Sequence, residues 1–267
     1  MKKITSRDNA TFKLLRSLAE SSRERRKQGR ALLDGMHLVA ACTERYGLPE
    51  LIAVSESGAG QAEIEAFLER HPQAVPLVFS DALFAEVSPV ATPTGILAAI
   101  PIPAAKPGMA ANGSCVLLDA IQDAGNLGSI LRSAAAAGIS DAFLGSGCAQ
   151  AWSPRVLRAA MGAHFALRIH EHARLHEVLR DVGGSSISTS LQGGKSIYEL
   201  DLTGPVAWIF GNEGAGLSTE IKGLTRHSAL IPMPGGAESL NVAAAAAVCL
   251  FEEVRQKARI KTRAGRA

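Results

Sequence analysis

Three separated segments in the second half of the sequence carry polar side chains directly after short apolar runs. The first contains Asn126 and Arg132, the second places Glu213 among glycines, and the third contains Ser239 and Asn241. Amides and hydroxyls make directed hydrogen bonds, a carboxylate accepts them, and a guanidinium keeps a permanent positive charge. Together these residue types can orient a polar ligand and stabilise negative charge that develops on it.

The first segment, LLDAIQDAGNLGSILRSAAAAGI, predicts a buried strand that ends at Asp119 and a helix with Asn126 at its N-cap. Gly138 fits the position just past the end of this helix. Arg132 lies opposite the apolar stripe, so it can project toward a ligand above the strand ends. Alone, the segment fits a capped helix with a solvated arginine better than a ligand site. The apolar stripe consists of Leu127, Ile130, Leu131 and Ala134.

The other two segments also place polar residues at the end of a predicted strand. VAWIFGNEGAGLS runs into a turn whose glycines let the backbone approach a ligand, although their spacing is not that of the dinucleotide fingerprint. ALIPMPGGAESLNV leads through a Pro/Gly loop into an alanine-rich helix, where Ser239 by itself fits an N-cap. The predicted apolar stripe of that helix is Ala243, Ala247, Leu250, Phe251 and Val254.

Length and composition favour an α/β protein of two domains. The chain has 267 residues, of which 47% are hydrophobic and only 4% aromatic, so aliphatic side chains must form its cores. Alternating strands and helices predict a first domain over residues 1–103, followed by a Pro/Gly/Ala-rich linker at 104–114. Residues 115–267 then hold six short apolar strands, which predict a mainly parallel sheet covered by helices.

Positive charge is concentrated at both ends of the chain, since residues 1–30 hold ten Lys or Arg against three Asp or Glu, and residues 255–267 hold six basic and no acidic residues. Such clusters suit phosphate-backbone binding, but solvated ends explain them equally well.

The start shows no secretory pattern and no apolar run could span a membrane, so we expect a cytoplasmic protein. Scattered cysteines fit reduced, buried thiols, and we predict no metal. The string His170, His172 and His176 fits solvent-facing positions better than ligands.

The order and spacing of the three segments closely resemble the SpoU (TrmH-type) RNA methyltransferases. The resemblance covers N-L-G-x-x-x-R at 126–132, F-G-N-E-G-x-G-L-S at 210–218, and I-P-M through S-L-N-V at 231–242. Residues 1 to about 100 resemble the small RNA-binding domain, similar to ribosomal protein L30e, that many members carry. The resemblance implies an L30e-like α/β domain followed by an α/β trefoil-knot methyltransferase domain with a mainly parallel sheet, and a homodimer through the knotted domain.

The same resemblance implies S-adenosylmethionine as cofactor and a ribose 2′-hydroxyl in RNA, most plausibly large-subunit ribosomal RNA, as the methyl acceptor. Arg132 would then anchor the ribose and stabilise the alkoxide, because an arginine is a poor general base. The implied catalytic set is Arg132, Asn126, Glu213, Ser239 and Asn241. The implied cofactor-binding set is Thr189, Leu191, Gly211, Asn212, Gly216, Ile231, Met233, Ser239 and Leu240. The expected RNA-binding residues are Arg7, Arg23, Arg25, Arg26, Lys27 and Arg30.

Three other functions remain open from the sequence alone. The first is ribose methylation of transfer RNA, and the second is methylation of a base nitrogen by the same knotted fold. The third is a non-catalytic RNA-binding or ribosome-assembly protein, against which the intact polar residues of all three segments argue.

Overall fold

A computed structural model describes residues 2–104, 113–190 and 193–264. The chain forms two compact units, one of Met1–Ala104 with Trp152–Phe165 and one of Ala105–Ala151 with Ala166–Ala267. The predicted linker 104–114 lies largely outside the described residues, and the predicted domain limits stay a prediction. Trp152–Phe165 belongs to the first unit, whereas the sequence pattern assigned this segment to the second domain.

The helices and strands are numbered in chain order. They are β1 (Lys2–Ile4), α1 (Ala10–Glu20), α2 (Ser22–Gln28), β2 (Arg30–Asp34), α3 (Met36–Tyr46), β3 (Leu51–Ser55), α4 (Ala62–Arg70), β4 (Leu77–Phe79), α5 (Asp81–Val87), β5 (Ile96–Pro101), β6 (Cys115–Asp119), α6 (Ala124–Ala136), β7 (Asp141–Leu144), α7 (Pro154–Ala160), β8 (Arg168–His170), α8 (Leu175–Asp181), β9 (Ser185–Ser190), β10 (Lys195–Ser196), β11 (Val206–Gly211), α9 (Thr219–Leu224), β12 (His227–Leu230) and α10 (Val242–Ala264).

The first unit contains a mixed five-stranded sheet in the order β1-β4-β3-β5-β2. β1, β4 and β3 run parallel, while β5 pairs antiparallel with both β3 and β2. Phe12, Leu15 and Leu18 recur at helical spacing on α1 and pack with Phe79 and Phe84 into the core. The predicted α/β architecture of this region is confirmed, and the short strand β1 is an addition that the basic start of the sequence did not suggest.

The second unit contains a seven-stranded sheet in the order β10-β12-β9-β11-β6-β7-β8, and every pair of neighbours is parallel. All six apolar segments predicted as strands are present, so the prediction of a mainly parallel sheet is confirmed. In such a sheet the carboxyl ends of all strands lie at one edge, where ligands of α/β proteins bind. The ends of β12, β9, β11 and β6 are neighbours along this edge. The trefoil knot stays a prediction.

A buried carboxylate joins α10 to the sheet of the second unit. Glu253 is 4% exposed and accepts hydrogen bonds from Trp208 Nε1 at 2.5 Å, Lys257 Nζ at 2.6 Å and the hydroxyl of Ser114. The same Ser114 oxygen accepts the N–H of Val206 at 2.9 Å. The sequence pattern assigned Ser114 to the linker, but the residue is buried because these bonds hold it at the start of β6.

Several sequence expectations about side chains need correction. His170 does not face solvent, because it stacks on Phe143 and lies 3.1 Å from the Asp141 carboxylate. Phe251 is 48% exposed although the predicted stripe of α10 included it. Leu250 of that stripe is buried, together with Ala246 and Cys249, which the stripe did not include. The four cysteines are free thiols, and burial raises the pKa of Cys115 and Cys249 to about 12. No helix among the described residues is long and apolar enough to cross a membrane.

The Glu253 cluster leads to a prediction about stability. Replacing Glu253 by Ala leaves the buried indole N–H, the Ser114 hydroxyl and a lysine without their acceptor, so we expect the free energy of unfolding to fall by about 3 kcal/mol. Urea unfolding followed by circular dichroism measures the change. Glu199→Ala, which removes an exposed carboxylate of the same unit, is the control and should change stability by less than about 0.5 kcal/mol. Equal stability of the two variants would contradict a stabilising role for this cluster.

Candidate active site

The helix that carries Asn126 begins three residues earlier than the sequence suggested. α6 starts at Ala124 and its N-cap is Asp123, whose Oδ1 accepts the N–H of Asn126 at 2.7 Å. The prediction of Asn126 as N-cap is therefore wrong, since the carboxylate upstream satisfies the free N–H groups of the first turn. This leaves the amide side chain of Asn126 available for other partners. The predicted apolar stripe is buried, and Gly138 takes a φ of 78° just past the helix, as expected.

A chain of side-chain hydrogen bonds joins the three polar segments. Asn241 Nδ2 donates to Asn126 Oδ1 at 2.8 Å, and Asn126 Nδ2 donates to Glu213 Oε1 at 2.9 Å. Asn241 is itself oriented by α10, because its Oδ1 accepts the N–H groups of Ala243 and Ala244 at 2.9 and 3.3 Å. Asn241 is thus the N-cap of α10, the role that the sequence allowed for Ser239. The structure brings Asn126, Glu213 and Asn241 together.

The Glu213 carboxylate is the acceptor at the end of this chain. Burial alone would raise its pKa, but hydrogen bonds from the Asn126 side chain and from backbone N–H groups of Glu213, Asp123 and Gln122 lower it below the ordinary value. The carboxylate is therefore ionised at neutral pH and is a weak base. It serves better as a fixed negative charge than as a group that takes up a proton.

Asn212 shapes the glycine-rich turn after β11. Its Oδ1 accepts the N–H groups of Gly214 and Ala215 at 3.0 and 2.9 Å, and its Nδ2 donates to the carbonyl of Ala120 at 2.9 Å. Asn212 and Gly216 also exchange backbone hydrogen bonds of 2.9 Å in both directions. A side chain on Gly211 would meet the Gly216 backbone at 2.5 Å, so only glycine permits this closure. The turn is consequently fixed by its own residues.

A cavity of about 530 Å³ opens beside this turn, at the carboxyl ends of β9, β11 and β12. Its size falls within the range of roughly 300–1,000 Å³ that is common for small-molecule sites. Eight of the nine predicted cofactor-binding residues line it, and the ninth, Leu191, lies outside the described residues. The predicted residues in the lining are Thr189, Gly211, Asn212, Gly216, Ile231, Met233, Ser239 and Leu240.

The cavity also has lining residues that the sequence did not single out. Apolar contacts come from Leu217, Leu230 and Val242, and a second carboxylate comes from Glu238. With Glu213, two carboxylates and no Lys or Arg line the cavity within the described parts of the chain. The sequence signal for this second carboxylate was the position of Glu238 directly before Ser239 in the third polar segment. The lining therefore suits a ligand that has an apolar surface and a positive charge.

Arg132 and Ser239 are not joined to the amide chain. Arg132 is exposed on α6, does not line the cavity, and has no hydrogen bond or ion pair recorded with the residues that the structure describes. Ser239 is exposed at the cavity wall. The expectation that the other polar residues orient Arg132 is therefore not met, because those residues bond to one another. No cluster of His, Cys, Asp or Glu arranged as metal ligands occurs in residues 2–104, 113–190 and 193–264.

The six basic residues predicted to bind RNA differ in their surroundings. Arg25 is 5% exposed and donates to the carbonyl of Leu18 at 2.6 Å, so it caps α1 and is not available to RNA. Arg7 pairs with Glu86 and Arg30 with Glu50. The exposed cations of α2 are Arg23, Arg26 and Lys27.

The fold and site define an α/β enzyme class that binds a small cofactor at the carboxyl edge of a parallel sheet. Residues 113–251 match the SpoU rRNA Methylase family and residues 9–98 match the MRM3-like substrate binding domain. The chain belongs to the SpoU rRNA Methylase family, as its three segments indicated, and it is an S-adenosylmethionine-dependent RNA ribose 2′-O-methyltransferase.

Relatives and solved structures match the chain over most of its length. It is 33% identical to the 23S rRNA (guanosine(2553)-2'-O)-methyltransferase RlmP of Bacillus subtilis, over 94% of this chain and 98% of that protein. The SpoU methyltransferase AviRb of Streptomyces viridochromogenes, solved in complex with AdoMet, matches with a TM-score of 0.82 and 26% identity over 93% of this chain and 98% of that one. An rRNA methyltransferase of Sinorhizobium meliloti matches with a TM-score of 0.82 and 26% identity, over 95% and 97% of the two chains.

The amide chain predicts a measurable change in the ionisation of Glu213. Replacing Asn126 by Ala removes a hydrogen bond that lowers the Glu213 pKa and leaves the opposing effect of burial in place, so the pKa should rise. Carboxyl ¹³C chemical shifts followed during a pH titration measure it. The ionised Glu213 stabilises the folded state at pH values above the pKa of this carboxyl in the unfolded chain. That stability is lost as the pH falls through the pKa of Glu213 in the folded state. The loss should therefore begin at higher pH in the variant. Ser129→Ala, an exposed change on the same helix, should leave the Glu213 pKa unaltered, and an unaltered pKa in both variants would contradict the prediction.

Proposed function

We propose that this protein methylates a ribose 2′-hydroxyl of large-subunit ribosomal RNA. The observation that carries the proposal is the amide chain from Asn241 through Asn126 to Glu213, which joins all three polar segments beside the cavity. Similarity to RlmP of Bacillus subtilis over 94% of the chain supports ribosomal RNA over transfer RNA. The joined polar residues argue against a non-catalytic RNA-binding protein. Among the members named above, RlmP modifies the 2′-oxygen, which favours the ribose over a base nitrogen.

The cavity beside the glycine-rich turn fits S-adenosylmethionine. The apolar residues Leu217, Ile231 and Leu240 suit the adenine ring, and the carboxylates Glu213 and Glu238 suit the cationic end. The open side of Gly216, where a side chain would meet nothing within 4 Å, leaves room for the ligand against the turn. When bound, the cofactor supplies an electrophilic methyl group. Asn212 would shape the cofactor site by holding the turn, since its side-chain amide and its backbone N–H and carbonyl are all bonded within the protein.

The residues of the amide chain orient the target nucleotide. Each asparagine amide has two N–H donors, and the chain uses one from Asn126 and one from Asn241, so a second donor on each remains for ribose or phosphate oxygens. The Ser239 hydroxyl at the cavity wall adds a further polar group. The fixed direction of the amides holds these donors in place before the substrate arrives, which lowers the cost of alignment.

Arg132 acts as a positioning charge for the substrate. Its guanidinium is exposed and permanently protonated, so it can bind a phosphate and stabilise the 2′-alkoxide while the hydroxyl proton passes to solvent water. The ionised Glu213 is a weak base because its pKa is lowered, and it keeps its proton-free form throughout. The exposed cations Arg23, Arg26 and Lys27 of α2 bind the RNA backbone outside the active site.

The protein functions in the cytoplasm as a homodimer formed through the second unit. Phe251 is 48% exposed on α10, and Ala244 and Ala247 of the same helix permit close approach of a partner helix. Burial against a second copy of the chain would remove this exposed phenylalanine from water. Its cytoplasmic location agrees with four free cysteines, which reducing conditions maintain.

The catalytic proposal predicts a loss of turnover when Arg132 is replaced. Arg132→Ala should lower kcat for methylation of large-subunit RNA by about 10²-fold, because a charge that stabilises the transition state is lost. Transfer of a radiolabelled methyl group measures turnover, and resistance of the product to alkaline cleavage on its 3′ side identifies the 2′-oxygen as acceptor. Arg180→Ala, an exposed arginine of the same unit, is the matched control and should stay near the parent rate. Near-normal turnover of both Arg132→Ala and Asn126→Ala would refute the assignment of the site.

The dimer proposal predicts that one charge on α10 separates the subunits. Phe251→Asp should place a carboxylate in the apolar contact and give monomers at micromolar concentration, since an unpaired buried charge is strongly unfavourable. Light scattering coupled to gel filtration measures the mass. Val75→Asp introduces the same charge at a residue of the first unit that is 73% exposed, and it should leave the dimer intact. A parent protein that is itself monomeric would overturn the proposal.

A further inference from the structure

The first unit contains a second cavity, of about 310 Å³, at the carboxyl end of β2. This volume is at the lower end of the range for small-ligand pockets, roughly 300–1,000 Å³, so it suits one heterocyclic base better than a complete cofactor. All lining residues belong to this one unit. They are Asp34, Gly35, Met36, His37, Leu38, Gln61, Glu63, Thr94, Arg158 and Met161.

The floor of this cavity is the carboxylate of Asp34, whose side chain is only 4% exposed. Its Oδ1 accepts a hydrogen bond from Thr94 Oγ1 at 2.7 Å, but Oδ2 has only a long contact of 3.5 Å with Arg158 Nη1. Burial raises the pKa of Asp34, while the Thr94 hydrogen bond and the charge of Arg158 oppose that rise. A carboxylate accepts about four hydrogen bonds, so this one keeps unused capacity. Arg158, with a side chain 57% exposed, has room to move aside.

The walls of the cavity present two methionines that can pack on an aromatic face. Met36 is buried and Met161 is 42% exposed, and thioether side chains adapt well to flat rings. Met161 has a φ of 50°, a left-handed conformation that glycine usually adopts. A methionine occupies this position even though the next residue, Gly162, is a glycine. Such strain at a non-glycine residue is typical of functional positions. The left-handed backbone of Met161 places its thioether side chain at the cavity, and a glycine there would have no side chain to contact a ligand.

His37 adds an oriented ring to the same wall. Its Nε2 lies 3.1 Å from the carbonyl oxygen of Met161. Because a carbonyl only accepts, Nε2 donates to it, and this bond fixes the ring. The cavity therefore offers the Asp34 carboxylate as an acceptor between apolar walls. Glu63 is also part of the lining but is exposed to solvent.

We propose that this cavity binds a single unstacked guanine base of the RNA substrate, with Asp34 accepting from its ring N–H and its 2-amino group. The proposal rests on the RNA-methylating function above and names a contact by which the first unit recognises the RNA. Guanine is the common RNA base whose Watson–Crick edge places two donors side by side, which matches a carboxylate. Adenine and cytosine have a lone pair on the ring nitrogen beside their amino group, and uracil has a carbonyl oxygen on each side of its ring N–H. In each of these bases a lone pair would therefore face the carboxylate.

Methionine methyl NMR of the full-length protein tests the site without any substitution. Met36 and Met161 line this cavity, whereas Met233 lines the cofactor cavity, so ¹³C-methyl labelling reports on both. GMP should shift the Met36 and Met161 signals and leave Met233 in place, while AMP, CMP and UMP at equal concentration should shift them far less. IMP, which lacks the 2-amino group, should bind roughly tenfold more weakly than GMP, because one hydrogen bond to a charged group is lost.

A pair of variants tests the role of the carboxylate. Asp34→Asn should remove the preference for GMP over AMP, since an amide cannot accept two donors side by side. Glu65→Gln, which neutralises an exposed carboxylate of α4 outside the cavity lining, is the control and should keep that preference. The proposal is overturned by the absence of Met36 and Met161 shifts at millimolar GMP, by equal shifts with all four nucleotides, or by equal affinity for IMP and GMP.

The same spectra separate this inference from the proposed function. S-adenosylmethionine should shift Met233, and methyl transfer to large-subunit RNA is measured on the same sample. A response of Met233 with active methyl transfer, but silent Met36 and Met161 signals, refutes the guanine site alone. GMP shifts at Met36 and Met161 without any methyl transfer refute the proposed function and support the site.

Discussion

The candidate active site depends on one directed chain of amide hydrogen bonds. The free N–H groups at the start of α10 donate to the side-chain Oδ1 of Asn241, and this turns its side-chain nitrogen toward Asn126. Asn126 must then point its own nitrogen at Glu213, whose charge favours that direction. Each amide orientation follows from the one before it, so three segments that extend over 115 positions, from Asn126 to Asn241, share one geometry. The amide chain starts at the backbone of the second unit, because the N-terminus of α10 orients Asn241, the first residue of that chain.

The parallel sheet explains why these segments meet. β6, β11 and β12 each end at the same edge, and the polar residues follow those strands directly along the chain. Asp119, at the end of β6, accepts the N–H of Ser218 at 2.9 Å, and Asn212 donates to the carbonyl of Ala120. The loops after β6 and β11 are thereby tied together before any ligand is present. The cavity is shaped by hydrogen bonds within the turn, while Asn126 and Asn241 each keep one side-chain N–H outside the amide chain.

Apolar runs are local signals, so the sequence was sufficient to predict six of the seven strands of the second unit. The cavity residues came from the family resemblance, which implied eight residues that line it. The sequence was not sufficient where two residues fitted the same role: Asp123 and Asn126 are both good N-caps, and only the observed bond from Asp123 decides between them. Arg25 could not be distinguished from its basic neighbours, since its burial depends on where α1 ends. The exposure of Phe251 likewise depends on the angle at which α10 meets the sheet.

α10 connects the stability of the second unit to the geometry of its active site. Glu253 anchors the middle of the helix to Trp208 in β11, and Asn241 at the helix start reaches the amide chain. Glu253 lies twelve positions after Asn241, which corresponds to about 18 Å of helix, so a small tilt about the Glu253 anchor moves Asn241 appreciably. β11 itself continues from Trp208 to Gly211 and into the turn that carries Glu213. Both ends of the amide chain are therefore held to the same strand, one through the helix and one through the turn. A buried carboxylate far from the chemistry thus helps to set the distance between the donor and acceptor of the active site.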